Sequence, residues 1–325
     1  MKEQTFASVV LYAHNDEQFI ADSLRKIDSA MNNLFKDYEI IIVNDYSQDR
    51  TLEITRKAID DLRGDITIIN LSRKHGVEHA MMAGLNRSMG DFVYEIETAI
   101  IDFKTDMFRT LYETATQQRS DIVAASSDRT SITSSLFYKL INKLSYLDLC
   151  LSTEPVRLVS RRALNAMLGL KEKVRYRKAL YSFTGYPKQV VHYEADRSVP
   201  LKSKKINREN ISLALDVIVS FSNGGLKLAH YLSFFFFLFS IFMGGYALYN
   251  YAFNKSVVQG WTTLMILISA GFAGLFFIVG LVGEYISRIL IEIQNRPFYS
   301  THSVELYKEK QPNLQLVKKN EKIPQ

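Results

Sequence analysis

The sequence predicts an α/β domain on a mostly parallel sheet, followed by a two-helix transmembrane hairpin. Two patterns carry this expectation. From Ala7 to about Thr130, short β-rich apolar runs alternate with segments of helical periodicity, as in strand–helix–strand units. Between Leu228 and Gly283 lie two long stretches without Asp, Glu, Lys or Arg, separated at Lys255.

Taken in order, 7–12, 39–44, 66–71, 92–97 and 121–125 read as short buried strands, and 17–31, 51–62, 78–86 and 105–117 as the helices between them. Ligands of such sheets bind at the carboxyl ends of the strands. Each uncharged stretch is about 27 residues, above the roughly 20 that cross a bilayer core. Their flanks are basic: Lys202, Lys204, Lys205, Arg208 and Lys227 before, Arg288, Arg296, Lys308 and Lys310 after. A hairpin puts both flanks on one side. The excess of cations places that side, the soluble domain and both termini in the cytoplasm, with the chain multi-pass in the inner membrane. Ile211, Leu215, Ile218 and Val219 share one helical face, which suits an interfacial helix. The expected divisions are a soluble domain at 1–205, an amphipathic interfacial helix at 206–226, membrane helices at 227–254 and 256–284, and a juxtamembrane helix with a basic tail at 285–325.

Composition agrees. The chain has 325 residues, 47% apolar and 23% charged, enough for one sizeable core. Met1 to Phe6 is polar and the next apolar run is short, so no signal peptide is expected. A single cysteine, Cys150, excludes an internal disulfide framework and a cysteine metal site. The net charge of +6 is concentrated beside the apolar stretches. Anionic lipid, and no nucleic acid, is the expected partner.

Three loops follow the first three strands. His14-Asn15-Asp16-Glu17 is polar enough for a base or ribose edge, or for an N-cap of the next helix. Asp45 ends the second strand, and Ser47 or Asp49 is placed to cap the helix from Thr51. Arg73, Lys74 and His75 precede Gly76 and a helix start, which suits a diphosphate. In their order and spacing, V-V-x-x-x-x-N-D-E, I-V-N-D-x-S-x-D-x-T and S-R-x-x-G-x-E-x-A-x-x-A-G-L resemble glycosyltransferase family 2. The branch it looks most like is the polyprenyl-phosphate, dolichol-phosphate mannose synthase-like one. Gly283-Glu284-Tyr285-Ile286, Arg288, Glu292 and Arg296-Pro297 are similar to that branch's ending.

The resemblance implies a GT-A-like nucleotide-sugar domain that transfers a sugar from a nucleotide-sugar donor to polyprenyl phosphate at the cytoplasmic membrane face. It also implies a homo-oligomer. Asn15, Asp16, Glu17, Asp45 and Arg73 would bind the nucleotide. Glu97 and Asp102 would hold Mg²⁺ or Mn²⁺, since hard ions take carboxylate oxygens. Arg157, with Arg177, Lys178 and Lys204, would hold the acceptor phosphate, so the catalytic set is Glu97, Asp102 and Arg157. Arg157 equally suits an ion pair that fixes its loop.

The chain departs from the family at two places. Where the family has D-x-D-x-Q-D-P, this chain has Glu97-Thr98-Ala99-Ile100-Ile101-Asp102-Phe103, a degenerate metal motif. Pro155 stands where the acceptor loop carries Asp, and Glu154, its neighbour on an extended segment, points to the other side. A second reading therefore stays open: a catalytically silent relative that binds nucleotide sugar, lipid or a partner subunit.

Overall fold

The computed structural model describes residues 2–128, 154–170, 176–199, 260–293 and 297–307, with scattered positions between 231 and 253. In chain order the elements are β1 (Ala7–Ala13), α1 (Ile20–Leu34), β2 (Tyr38–Asn44), α2 (Thr51–Ala58) with a 3-10 turn over Ile59–Asp61, β3 (Asp65–Leu71), α3 (Val77–Arg87), β4 (Phe92–Ile96), α4 (Asp106–Gln117), β5 (Ile122–Ser127), β6 (Val156–Ser160), α5 (Arg161–Gly169), α6 (Arg177–Phe183), β7 (Lys188–Tyr193), α7 (Trp261–Ile293) and β8 (Thr301–Tyr307). The five expected strands and the four helices between them all form, with ends shifted by a few residues.

These strands form because they are apolar on both faces. β2 is buried along its whole length, as a parallel strand covered by helices on either side must be. Alternate residues feed two cores. Val9 and Leu11 of β1 join Ile20, Leu24, Ile27 and Met31 of α1 and Phe108 and Leu111 of α4. Val10 and Tyr12 join α3, with Leu164 and Met167 of α5 and Leu180 of α6. The second layer packs closely at Gly84, where a Cβ would stand 2.3 Å from Val10 and 2.8 Å from Val43.

The eight-stranded sheet has the order β7-β5-β6-β4-β1-β2-β3-β8. β1 pairs in parallel with β2 and β4, β2 with β3, and β5 with β7. β6 runs antiparallel to both β4 and β5, so β5 and β7 point the same way as β1–β4. β8 runs antiparallel to β3, with Leu71 opposite Thr301. It covers what would be an open edge, and Arg56 grips Glu305 through Nε at 2.9 Å and Nη2 at 2.6 Å. The chain therefore leaves β7 and enters β8 at one and the same edge of the sheet, the carboxyl edge of β1–β4.

A transmembrane hairpin is not found among the described residues. Most of 227–254 lies outside them, as do 206–226, Lys204 and 308–325. Counting only described residues, no helix is long and apolar enough to cross a membrane. The part of the second apolar stretch from 261 onward falls within α7, which is 33 residues long and exposes Phe272, Leu275, Phe276, Phe277 and Val279.

Candidate active site

The strand order reverses at β1: β2 and β3 lie on one side of it and β4 on the other. The crevice beyond the carboxyl ends of β1 and β4 is thus the expected ligand position. The loops that surround it are His14–Glu17, Asp45–Arg50, Ser72–Gly76 and Glu97–Asp102.

The first two loops are stitched together. Asn15 sits at φ 52°; its N–H donates to Ser47 Oγ (3.1 Å), and its Oδ1 accepts from the Gln48 N–H (2.8 Å). Asp16 N–H donates to Thr51 Oγ1 (2.8 Å), and Glu17 N–H to Asp49 Oδ2 (3.1 Å). Glu17 in turn accepts from the Arg50 N–H at 3.1 Å. Asp49 also accepts from the Thr51 N–H at 3.0 Å, helping to satisfy the open end of α2. Burial acts to raise the Asp49 carboxyl, but the bonds from Thr51 and Glu17 outweigh it and hold the group below its ordinary range. Asn15, Asp16, Glu17, Gln18, Phe19 and Asp49 line an open cleft of about 260 Å³.

Asp45 ties the second loop to the third. It is fully buried. Its Oδ1 accepts from the His75 N–H (2.7 Å), and its Oδ2 from the Gly76 N–H (2.9 Å) and the Tyr12 hydroxyl (3.1 Å). The turn needs glycine there, because Gly76 has φ 84°, where a Cβ is strained. Arg73 is exposed on this turn. The Ser300 N–H donates to His75 Nε2 at 3.2 Å, and Ser72 and Ser300 share a hydroxyl–hydroxyl bond. The segment entering β8 thus rests on the same turn.

A buried charge network fills the carboxyl end of β4. Glu95 Oε2 accepts from Arg157 Nη1 at 3.1 Å and from Arg177 Nη1, while the Tyr181 hydroxyl donates to its Oε1. Arg157 Nη2 donates to Glu154 at 3.1 Å, and Lys188 Nζ to the same carboxylate at 2.6 Å. Arg177 Nε donates to Glu78 at 2.9 Å and Nη2 to Glu97 at 3.1 Å; Lys178 Nζ lies 3.8 Å from the other Glu97 oxygen. Four carboxylates thus face four cations. Burial acts to raise Glu154, yet Arg157, Lys188 and Lys178 bring it down to about 2. Burial acts to lower the Arg157 and Arg177 guanidiniums, and the surrounding carboxylates push both above their ordinary range.

The structure therefore brings Glu97, Arg157, Arg177 and Lys178 together. Arg157 and Arg177 are almost wholly buried and spend their donors on carboxylates. Asp102 is turned elsewhere, accepting from the Tyr193 hydroxyl at 2.9 Å. Burial, then the Asp102 charge, pushes that phenol above its ordinary range.

A divalent ion does not fit the residues present. Both Glu97 oxygens face cations, and Ala99 and Ile101 are buried in the apolar core. Among the described residues no group of three or more His, Cys, Asp or Glu could hold a metal. Glu97 and Asp102, expected to hold an ion together, are turned to different partners. Glu78, Glu95, Tyr181 and Lys188 were not singled out from the sequence. The one local signal was Glu95, a carboxylate inside a buried strand, which must find a partner.

Residues 8–163 match the family model Glycosyl transferase family 2. The "Bactoprenol glucosyl transferase" of Shigella phage SfV is 29% identical over 301 residues, covering 90% of this chain and 96% of the relative. The "Uncharacterized glycosyltransferase YkcC" of Bacillus subtilis is 29% identical over 311 residues, covering 90% and 92%. Among solved structures, glucosyl-3-phosphoglycerate synthase from Mycobacterium tuberculosis, in complex with Mn²⁺, uridine diphosphate and phosphoglyceric acid, aligns with a TM-score of 0.50 at 17% identity. That alignment covers 66% of this chain and 76% of the other. The fold is GT-A-like.

Proposed function

We propose that this protein transfers a sugar from a nucleotide-sugar donor to polyprenyl phosphate at the cytoplasmic face of a membrane. The observation that carries the reading is topological. The chain leaves for its apolar segments after β7 and returns at β8, both at the carboxyl edge that bears the donor loops. On this reading the apolar side chains exposed on α7 face lipid, and a polyprenyl phosphate presents its head group to the crevice. Relatives named bactoprenol glucosyl transferase, matched over 90% of this chain, support the same acceptor class.

In this reading the donor's nucleoside lies against Asn15, Asp16 and Glu17. Asp45 fixes the turn from which Arg73 reaches the diphosphate. An acceptor phosphate oxygen attacks the anomeric carbon. A bond from that carbon to the acceptor forms as the bond to the donor diphosphate breaks, and the nucleoside diphosphate leaves. The acceptor is already anionic, so no base must take a proton from it. The chief demand is to stabilise charge on the departing diphosphate, which cations beside Glu97 suit.

The burial of Ala99 and Ile101 and the pairing of Glu97 favour a second reading, a silent module that binds nucleotide sugar or lipid. Membranes containing the chain, polyprenyl phosphate and a panel of radiolabelled nucleotide sugars separate the two. Labelled lipid is the expected product. Donor binding without labelled lipid across the panel would refute the transferase and leave the binding module.

A further inference from the structure

We infer that the positive charge a divalent ion would bring to the carboxyl end of β4 is built into this chain as Arg177 and Lys178, held on Glu97, so that nucleoside-diphosphate binding is independent of metal. This rests on the donor reading above and specifies how that site meets phosphate charge.

Three observations converge. Glu97, the carboxylate at the end of β4, has one oxygen on Arg177 at 3.1 Å and the other near Lys178 at 3.8 Å. An incoming ion would have to displace both cations. The next two motif positions that could assist it, Ala99 and Ile101, are buried apolar side chains. Among the described residues, Glu78, Glu95, Glu97 and Glu154 face Arg157, Arg177, Lys178 and Lys188.

The two cations are also differently held. Arg177 is fully buried and reaches Glu78, Glu95 and Glu97 at once. It is a positioning residue that fixes Glu97. Lys178 lies 3.8 Å from the other oxygen of that carboxylate, its side chain 6% exposed and that of Glu97 20%. A lysine ammonium is a compact charge on a flexible stem and can turn from Glu97 to a phosphate oxygen. The arrangement gives Lys178 the direct contact and Glu97 the task of presenting it.

The test is binding of UDP and of GDP to the full chain in detergent micelles, by calorimetry, first with EDTA and then with Mn²⁺. The expected result is a dissociation constant unchanged within about twofold. Tightening of about tenfold or more on adding Mn²⁺ would overturn the inference while leaving the donor reading intact. Lys178→Ala is expected to weaken binding in EDTA about tenfold and, by freeing Glu97, to create Mn²⁺ dependence that the wild type lacks. Lys178→Arg should preserve metal independence, and a Lys178→Ala variant that binds like wild type in EDTA would overturn the role of that side chain. Should Lys178→Ala not fold, the electron paramagnetic resonance of Mn²⁺ mixed with wild-type chain decides. No stoichiometric bound ion is expected, and a bound ion lost in Glu97→Gln would overturn the inference. If neither nucleotide binds under either condition, the donor reading falls, and the resonance experiment still scores the metal separately.

Discussion

Replacing Glu95 by alanine should destabilise the α/β domain more than any exposed charge change. Its carboxylate is 1% exposed and accepts from Arg157, Arg177 and the Tyr181 hydroxyl. Glu95→Ala strands two guanidiniums in the interior. Arg157 would still have Glu154, and Arg177 would still have Glu78 and Glu97, so the loss is that of one shared partner rather than the whole network. Breaking a buried pair from one side costs about 3–5 kcal/mol. For a domain of this size each kcal/mol moves Tm by about 2–4 °C, so the melting point should fall by about 6–20 °C. Glu95→Gln keeps the acceptor facing Tyr181 but loses the charge, and should fall between. The assay is thermal unfolding of the full chain in detergent, followed by intrinsic fluorescence. A shift under about 3 °C for Glu95→Ala would refute the reasoning, because a buried pair worth less than about 1 kcal/mol behaves like a surface pair.

Two further outcomes follow from the same geometry. Glu154, held at about 2 against an ordinary 4.5, has its folded-state pKa depressed. Its contribution is fully present above about pH 4.5 and is lost as pH falls toward 2, up to about 3 kcal/mol. Melting points measured from pH 6 down to pH 3 should therefore drop more steeply in wild type than in Glu154→Gln; parallel profiles would contradict this. Asp45→Ala removes the acceptor of the His75 and Gly76 N–H groups and of Tyr12, at about 1–3 kcal/mol for each buried group left unpaired. UDP or GDP affinity should fall about tenfold as the Arg73–Gly76 turn loosens, whereas unchanged affinity for the nucleotide that wild type binds would detach this turn from the donor.

The parallel half of the sheet was legible because each of its strands announces itself locally. The run Ile40-Ile41-Ile42-Val43 can only be a strand covered on both faces, and α1 places Ile20, Leu24, Ile27 and Met31 at helical spacing. The antiparallel additions were not. β6 reads in sequence as a loop motif around Arg157, and β8 as tail, because their pairings are set by distant partners. Thr301 meets Leu71, and Arg157 meets Glu95, across 62 intervening steps of chain. The charge network has the same character. Arg177 finds Glu95 and Glu78 at separations of 82 and 99 residues, so a motif can suggest that a cation matters without saying which anion it serves. The sequence placed Arg177 and Lys178 near a phosphate; the fold shows that their immediate partner is Glu97.

On the proposed reading, that partnership gives a physical account of why Ala99, Ile101 and Pro155 stand together. An aspartate at position 99 is useful where an ion bridges carboxylates and diphosphate; with Arg177 and Lys178 already on Glu97 it would be a buried charge without a partner. Alanine avoids that cost, and Ile101 and Phe103 then extend the apolar core beneath it. Pro155 belongs to the same change. Its carbonyl accepts the Glu97 N–H at 3.0 Å, pinning the start of β6 to the end of β4, while Glu154 beside it turns inward to Arg157 and Lys188. The carboxylates here are answered by side chains of the chain itself, and the polar loops at the ends of β1, β2 and β3 are left with their donors and acceptors in order.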